Sequence, residues 1–327
     1  MPSALVEEKI SSYRPKVLAT LLEAGDALAS RQEMGGQTRG NVPPWPGSGD
    51  GDFHGTLAAI WVWSTAEKLR GEDRFSLNVA SAWNYIESTW SEYIPRSLGA
   101  YASDEAAYDC AMVLRAWLAG EGHKVIDDES ARLDRVATAA RLLGAYITDL
   151  ENLSGREFKD PGFLAWTLGE YARATNNRGL SATARRFVDA AFGMKSPPPF
   201  ASELTTRDGL FDFSCTTATR VMAVIGAEGP IPFVGAWLRE RVAPAAPQTF
   251  VRRPLDENTW NSCAAATLGY AFSISTDVTF FDSYKVLMDE LDDRAQRGAL
   301  GRMPGFVAET APTFYYAMAT ASILGTI

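Results

Sequence analysis

Histidine and cysteine are scarce in this chain, and basic charge is outweighed by acidic. Two histidines and three cysteines occur in 327 residues. A metal centre built from imidazole and thiolate therefore has few ligands to draw on. The cysteines, Cys110, Cys215 and Cys263, are far apart, which excludes a dense disulfide framework and fits a reducing compartment. The 31 Lys and Arg against 40 Asp and Glu leave a net charge of −9. Phosphate backbones demand clustered cations, so nucleic acid is not an expected partner. No run reaches the roughly 18 apolar residues of a membrane helix, so no membrane span is expected. The first residues, MPSALVEEKISSYRPK, carry acids where a leader peptide would carry an apolar stretch, and the expected location is cytoplasmic. Alternating Val, Ile and Thr runs hardly appear, which argues against a sheet.

What the chain does have is Ala and Leu at helical spacing, within 46% hydrophobic residues. Six acidic residues, Asp52, Asp104, Asp160, Asp212, Asp256 and Glu309, each head an apolar stretch, at intervals of 52, 56, 52, 44 and 53 residues. Self-similarity at such a period is the mark of a repeat architecture. The stretches behind these heads predict helices over 53–70, 105–119, 162–174, 213–226, 257–274 and 311–325, apolar nearly all round and therefore buried. Between them, amphipathic patterns predict helices over 4–32, 75–94, 129–150, 180–193, 232–243 and 278–297. In the third of these, Leu133, Val136, Ala140, Leu143 and Ile147 keep one face, and Arg132, Asp134, Arg135 and Arg141 fill the other. Pro15 is expected to bend or restart the first. The alternation predicts an all-α fold, an (α/α)6 toroid of six inner and six outer helices forming one domain over 1–327. Segments 34–51 form the longest irregular stretch and a candidate lid.

Loops before the inner helices are rich in Gly, Pro and aromatics, as in GNVPPWPGSGDGDFHG and FVRRPLDENTW, while those at the other end are plain. Elaborated loops on a rigid scaffold are where sites sit. Three segments carry a family resemblance. EAAYDCAMVLRAWL (105–118) and ENTWNSCAAATLGYAF (257–272) resemble inner helices of protein prenyltransferase β subunits, and ALASRQEMGG (27–36) resembles the Gln-to-Gly bend of squalene-cyclase repeats. The chain thus looks like a member of the terpene-cyclase and prenyltransferase toroids. The resemblance implies the toroid fold and an isoprenoid or similarly apolar substrate.

The chain departs from that family's catalytic motifs. The nearest approach to the zinc-holding Asp-x-Cys pair is Asp212-Phe213-Ser214-Cys215, one residue too long, and Pro312 stands where the zinc His would fall. The nearest approach to the DxDD acid box is Asp256-Glu257-Asn258-Thr259. The pairs Asp127-Asp128 and Asp292-Asp293 lack the third acid of a magnesium box. No metal and no cofactor is expected.

A carboxylate at a helix head reads first as an N-cap, worth about 0.5–2 kcal/mol. A ring of them around an apolar cavity would also drive some pKa values apart, which is how a protonated acid survives at neutral pH. The candidate catalytic acids are Asp256, Asp212 and Asp52, each beside aromatic or polar neighbours. His54, at the first head, would suit a proton shuttle, whereas His123 lies at the plain end. Arg207, Arg252, Arg253 and Arg302 cluster in head-side loops and would hold an anionic end of a small-molecule substrate as bidentate forks, or else pair with nearby acids. Trp45, Phe53, Tyr108, Trp166, Phe213, Trp260 and Tyr315 are the candidate aromatic lining, suited to shielding a cation or stacking on a sugar. The leading expectation is a terpene-cyclase-like enzyme that protonates its substrate from a rim carboxylic acid. The alternatives are a glycosidase or polysaccharide lyase with paired rim carboxylates and a non-catalytic toroid that binds a lipid or partner.

Overall fold

A computed structural model of the chain describes residues 4–44, 48, 51–95, 104–120, 129–152 and 161–192. Among them lie seven helices and no strand: α1 (Ala4–Ala29), α2 (Phe53–Arg70), α3 (Ser76–Tyr93), α4 (Asp104–Gly120), α5 (Glu129–Asn152), α6 (Pro161–Ala174) and α7 (Arg178–Phe192). The described part is all-helical, as the Ala- and Leu-rich patterning requires. No helix among the described residues is long and apolar enough to cross a membrane.

Helix α2 is the centre of this part. Its start is set by Asp52, whose extended backbone and side-chain bond from the Gly55 amide (2.7 Å) make an N-cap. Its end is set by Gly71, which takes a left-handed φ of 70° and donates its N–H to the Glu67 carbonyl at 2.7 Å, a conformation glycine adopts without a Cβ penalty. From Phe53 to Glu67, every residue except His54 is buried, so this helix is covered on all sides. Burial of each large apolar side chain here contributes about 1.5–3 kcal/mol.

Around α2 the helices form two layers. Helices α2, α4 and α6 pack side by side in chain order, and α3, α5 and α7 pack behind them, with α5 also touching α7. The inner three run parallel. His54 and Tyr108 meet at the heads of α2 and α4, and Gly120 at the end of α4 lies beside Ser64 of α2. Tyr108 meets Phe163 at the head of α6, and Arg115 reaches Glu170 farther along both helices. Helix α3 returns antiparallel to α2, because Phe53 at the start of α2 stacks on Tyr93 at the end of α3. Glu67, only 3% exposed, bonds the Phe75 amide and the Ser76 hydroxyl, placing a carboxylate at the head of α3 where its N–H groups would otherwise be orphaned. The α6–α7 hairpin is tight. Asn176 turns the chain at φ 53°, and Asn177 caps α7 by accepting from the Leu180 amide at 3.1 Å.

Two expectations are corrected. Helix α1 is one element through Pro15, so the chain does not restart there. Pro15 and Ser11, one turn back, are both exposed, so the carbonyl that loses its partner can bond water instead. Leu133, placed on the apolar face of α5 by its spacing, is 44% exposed, whereas Val136, Ala140, Leu143 and Ile147 are buried. Helix α5 has only just begun at Leu133, and its packed face starts one turn later. The inner and outer helices over 213–226, 232–243, 257–274, 278–297 and 311–325 lie outside the described residues.

Candidate functional site

The segment between α1 and α2 runs back to the head of α2 along α3. Gln32 donates to the carbonyls of Gly40 (3.1 Å) and Asn78 (2.9 Å) and accepts from the Asn78 amide at 2.7 Å. Glu33 and Asn41 close a short loop, with Glu33 N–H to Asn41 carbonyl at 2.9 Å. Gly40, at φ 96°, lies against α3 so closely that a Cβ would strike the Ser81 carbonyl. The Asn41 side-chain oxygen accepts the Asp52 amide (2.8 Å) and the Thr56 hydroxyl (3.3 Å), and Thr56 in turn accepts the Val42 amide at 2.9 Å. Residues 40–43 are buried. Within the candidate lid, Asn41 and Val42 are therefore fastened to the start of α2 by hydrogen bonds, and Gly40 packs against α3.

These bonds position Asp52. Its carboxylate folds over the first turn of α2, and only a glycine at 55 leaves room for it, since a Cβ there would collide with the Asp52 oxygen. Burial raises the Asp52 pKa, opposed by the Gly55 and His54 amides and by the charge of Arg31. Arg31 is itself lowered to about 10 by burial, against the pull of Asp52. The Tyr85 hydroxyl abuts Gly51 on the other side and is hydrogen-bonded to Tyr93, and burial raises the pKa of both phenols. Both stay neutral at physiological pH and can donate or relay a hydrogen bond. Tyr93 stacks on Phe53 at 4.6 Å.

His54 sits outside this cap. Its Nδ1 is 3.9 Å from Asp109 Oδ1 on α4, with 28% of its side chain and 14% of that of Asp109 exposed. Burial lowers the imidazole to about 4, so the ring is neutral at pH 7. It stacks on Tyr108 at 4.6 Å, Tyr108 stacks on Phe163 at 4.9 Å, and Phe163 meets Trp166 edge-on at 5.7 Å. One aromatic row thus ties together the heads of three inner helices separated by more than a hundred residues of chain.

Below the row, Arg115 is 2% exposed between α4 and α6. Its guanidinium lies 3.3 Å from the Trp166 ring centroid and donates to Thr167 (3.0 Å) and Glu170 (2.7 Å). Trp166 Nε1 donates to the other Glu170 oxygen at 2.7 Å. The buried guanidinium thus shares its bonds between Thr167 and one Glu170 oxygen and lies on a ring face, while its Nη2 has no hydrogen-bond partner.

Of the residues singled out from sequence, the structure brings Asp52, His54, Tyr108 and Trp166 to the same end or just below it. Phe53 and Trp166 are 1% and 0% exposed and serve as packing between helices. Tyr108 is half-buried within the row. Asp212, Asp256, Trp45, Phe213, Trp260, Tyr315, Arg207, Arg252, Arg253 and Arg302 lie outside the described residues. Sequence reasoning missed Arg31, Tyr85, Tyr93, Asp109 and Arg115. The eight-residue spacing of Tyr85 and Tyr93, two turns on one helix face, could have found that pair. An arginine inside the apolar helix α4 could have marked Arg115. Cys110 is buried and its thiol is pushed up to about 12, which makes it unreactive packing. Among the described residues no three His, Cys, Asp or Glu side chains group to hold a metal ion. No family model, curated protein or solved structure matches the chain.

Proposed function

We propose that the chain is an enzyme that transfers a proton to an apolar, isoprenoid-like small molecule, with a carboxylic acid at the head end of the inner helices as donor. In this reading the alternation of inner and outer helices continues through the remaining repeats and closes into an (α/α)6 toroid, with the heads around one mouth.

The observation that carries the reading is Asp52. Burial moves the pKa of this carboxyl upward, the direction a general acid requires, against the Gly55 and His54 amides and the charge of Arg31. It lies at the end of the inner layer where His54, Tyr108 and Phe163 form a stacked row. Aromatic faces there would stabilise a developing cation and keep water from it. Asp212 and Asp256 would be the corresponding acids of later repeats, and Arg207, Arg252, Arg253 and Arg302 would hold an anionic end group.

Incubation of the full chain with squalene and with geranylgeranyl diphosphate in D₂O tests this. A new cyclised or isomerised product carrying deuterium, detected by gas chromatography with mass spectrometry, is expected. Asp52→Asn keeps a capping side chain but removes the acidic proton, so it should lower the rate by about 10²-fold or more. An unchanged rate in Asp52→Asn, Asp212→Asn and Asp256→Asn would reject the acid.

A further inference from the structure

We infer that Met34 is a reversible oxidation site, a thioether that hydrogen peroxide converts to the sulfoxide while the chain stays folded and that a methionine sulfoxide reductase converts back. The step is independent of the acid chemistry proposed above.

Eight methionines occur in the chain, and Met34 and Met112 are the two among the described residues. They stand at opposite extremes. Met34 is 63% exposed, whereas Met112, inside α4, is 0% exposed. Methionine is ordinarily a filler of gaps in a core, which is the place Met112 occupies and Met34 does not. An oxidant has to touch the sulfur, so exposure decides which thioether reacts.

The chain around Met34 holds it out in water. The Glu33 N–H donates to the Asn41 carbonyl at 2.9 Å and the Gly40 N–H donates to the Glu33 carbonyl at 2.7 Å. These two bonds pinch the loop at its base. Gln32, just before it, is tied to the Gly40 carbonyl and to Asn78 on α3. Residues 34–37, at the tip, are all exposed. A Cβ built at Gly35 or Gly36 would meet nothing within 4 Å. A reductase must enclose the sulfoxide and the backbone beside it, and this open space admits one. Met34 lies mostly in water, so a polar sulfoxide there displaces little apolar packing. The same oxygen on Met112 would enter the core without a place prepared for it.

The forward step balances with peroxide as the oxidant. A lone pair on the Met34 sulfur attacks one peroxide oxygen, and the O–O bond breaks. The S–O bond forms, the second oxygen leaves as hydroxide, and the proton remaining on the sulfoxide oxygen passes to it to give water. Sulfur loses two electrons and the peroxide gains them. In the return step a reductase dithiol supplies two electrons and becomes a disulfide, and the oxygen leaves as water.

The test treats the full folded chain with hydrogen peroxide at pH 7 and follows each methionine peptide by mass spectrometry. Met34 is expected to gain one oxygen atom at least about 10²-fold faster than Met112, whose sulfur is reached only when α4 opens. In concentrated urea the two rates should converge, because the difference comes from the fold. The two methionine sulfoxide reductases, one for each sulfoxide epimer, should remove the oxygen from folded protein when supplied with dithiothreitol. Met34→Gln, a permanent polar replacement, should melt at the wild-type temperature. Met34 reacting no faster than Met112 in the folded chain overturns the site. A lowered melting temperature in Met34→Gln, or a sulfoxide that is reduced only in urea, overturns its reversibility in the folded state.

Discussion

At the residue scale, Asp52 and His54 give opposite pH signatures. Burial lowers the folded-state pKa of His54 from 6.5 to about 4. The unfolded chain therefore binds a proton below pH 6.5 that the folded one refuses, and stability falls as pH drops from 6.5 toward 4. His54→Gln should flatten that slope by roughly 1–3 kcal/mol, read from urea midpoints at pH 7 and pH 4.5. The Asp52 carboxyl is raised, so its stabilisation is full below the usual 3.8 and is lost as pH climbs through the folded value. Asp52→Asn should remove that loss. Gly40 makes a second prediction at this scale. Its φ of 96° and its closeness to the Ser81 carbonyl leave no room for a methyl group. Gly40→Ala should cost about 1–3 kcal/mol or more, measured by thermal unfolding, and should loosen the segment between α1 and α2 that holds Asn41 against Asp52. Asp52 was visible in sequence as a helix head followed at once by aromatic and imidazole side chains. Its partners Arg31 and Tyr85 were not, because they come from a loop and another helix.

At the element scale, the boundaries of α2 follow from local chemistry. An Asp cap, a left-handed Gly71 and an apolar run between them are enough to define Phe53–Arg70. The contact of α4 with α6 rests on something a linear pattern does not carry, the buried Arg115–Trp166–Glu170 cluster. Arg115→Ala should destabilise by about 3–5 kcal/mol, since it removes the buried charge that pairs with Glu170 and leaves that carboxylate with Trp166 Nε1 and with Arg173 at 3.8 Å. Arg115→Ala together with Glu170→Ala should cost less than the sum of the two single changes. Additive losses in chemical denaturation would show that the two side chains do not act as a pair. The pattern reading of α5 went too far by one turn at Leu133, because helical periodicity locates a face but not where a neighbour begins to cover it.

At the scale of the whole molecule, the described helices form a two-layer array with parallel inner members. A closed ring and an open superhelix both begin with such an array, and they differ in size. A compact 327-residue chain should have a radius of gyration of about 20 Å. Small-angle X-ray scattering near that value is expected for the toroid, and a clearly larger value for an open solenoid would reject closure. Closure also couples the ends, because an inner face left uncovered must be buried by a neighbour or a cap. Deleting 305–327 should therefore abolish a single cooperative melting transition.

The sequence by itself determined that the described part of this protein is helical, where its first inner helices start and stop, and which of them are buried. Caps, glycine turns and apolar periodicity act over a few residues, so they can be read along the chain. Only the tertiary structure decided which side chains meet. Arg31 beside Asp52, Asp109 beside His54, and Tyr108 between His54 and Phe163 come from different elements. Their pKa values follow from burial and from charges brought close across helices, which no local spacing encodes.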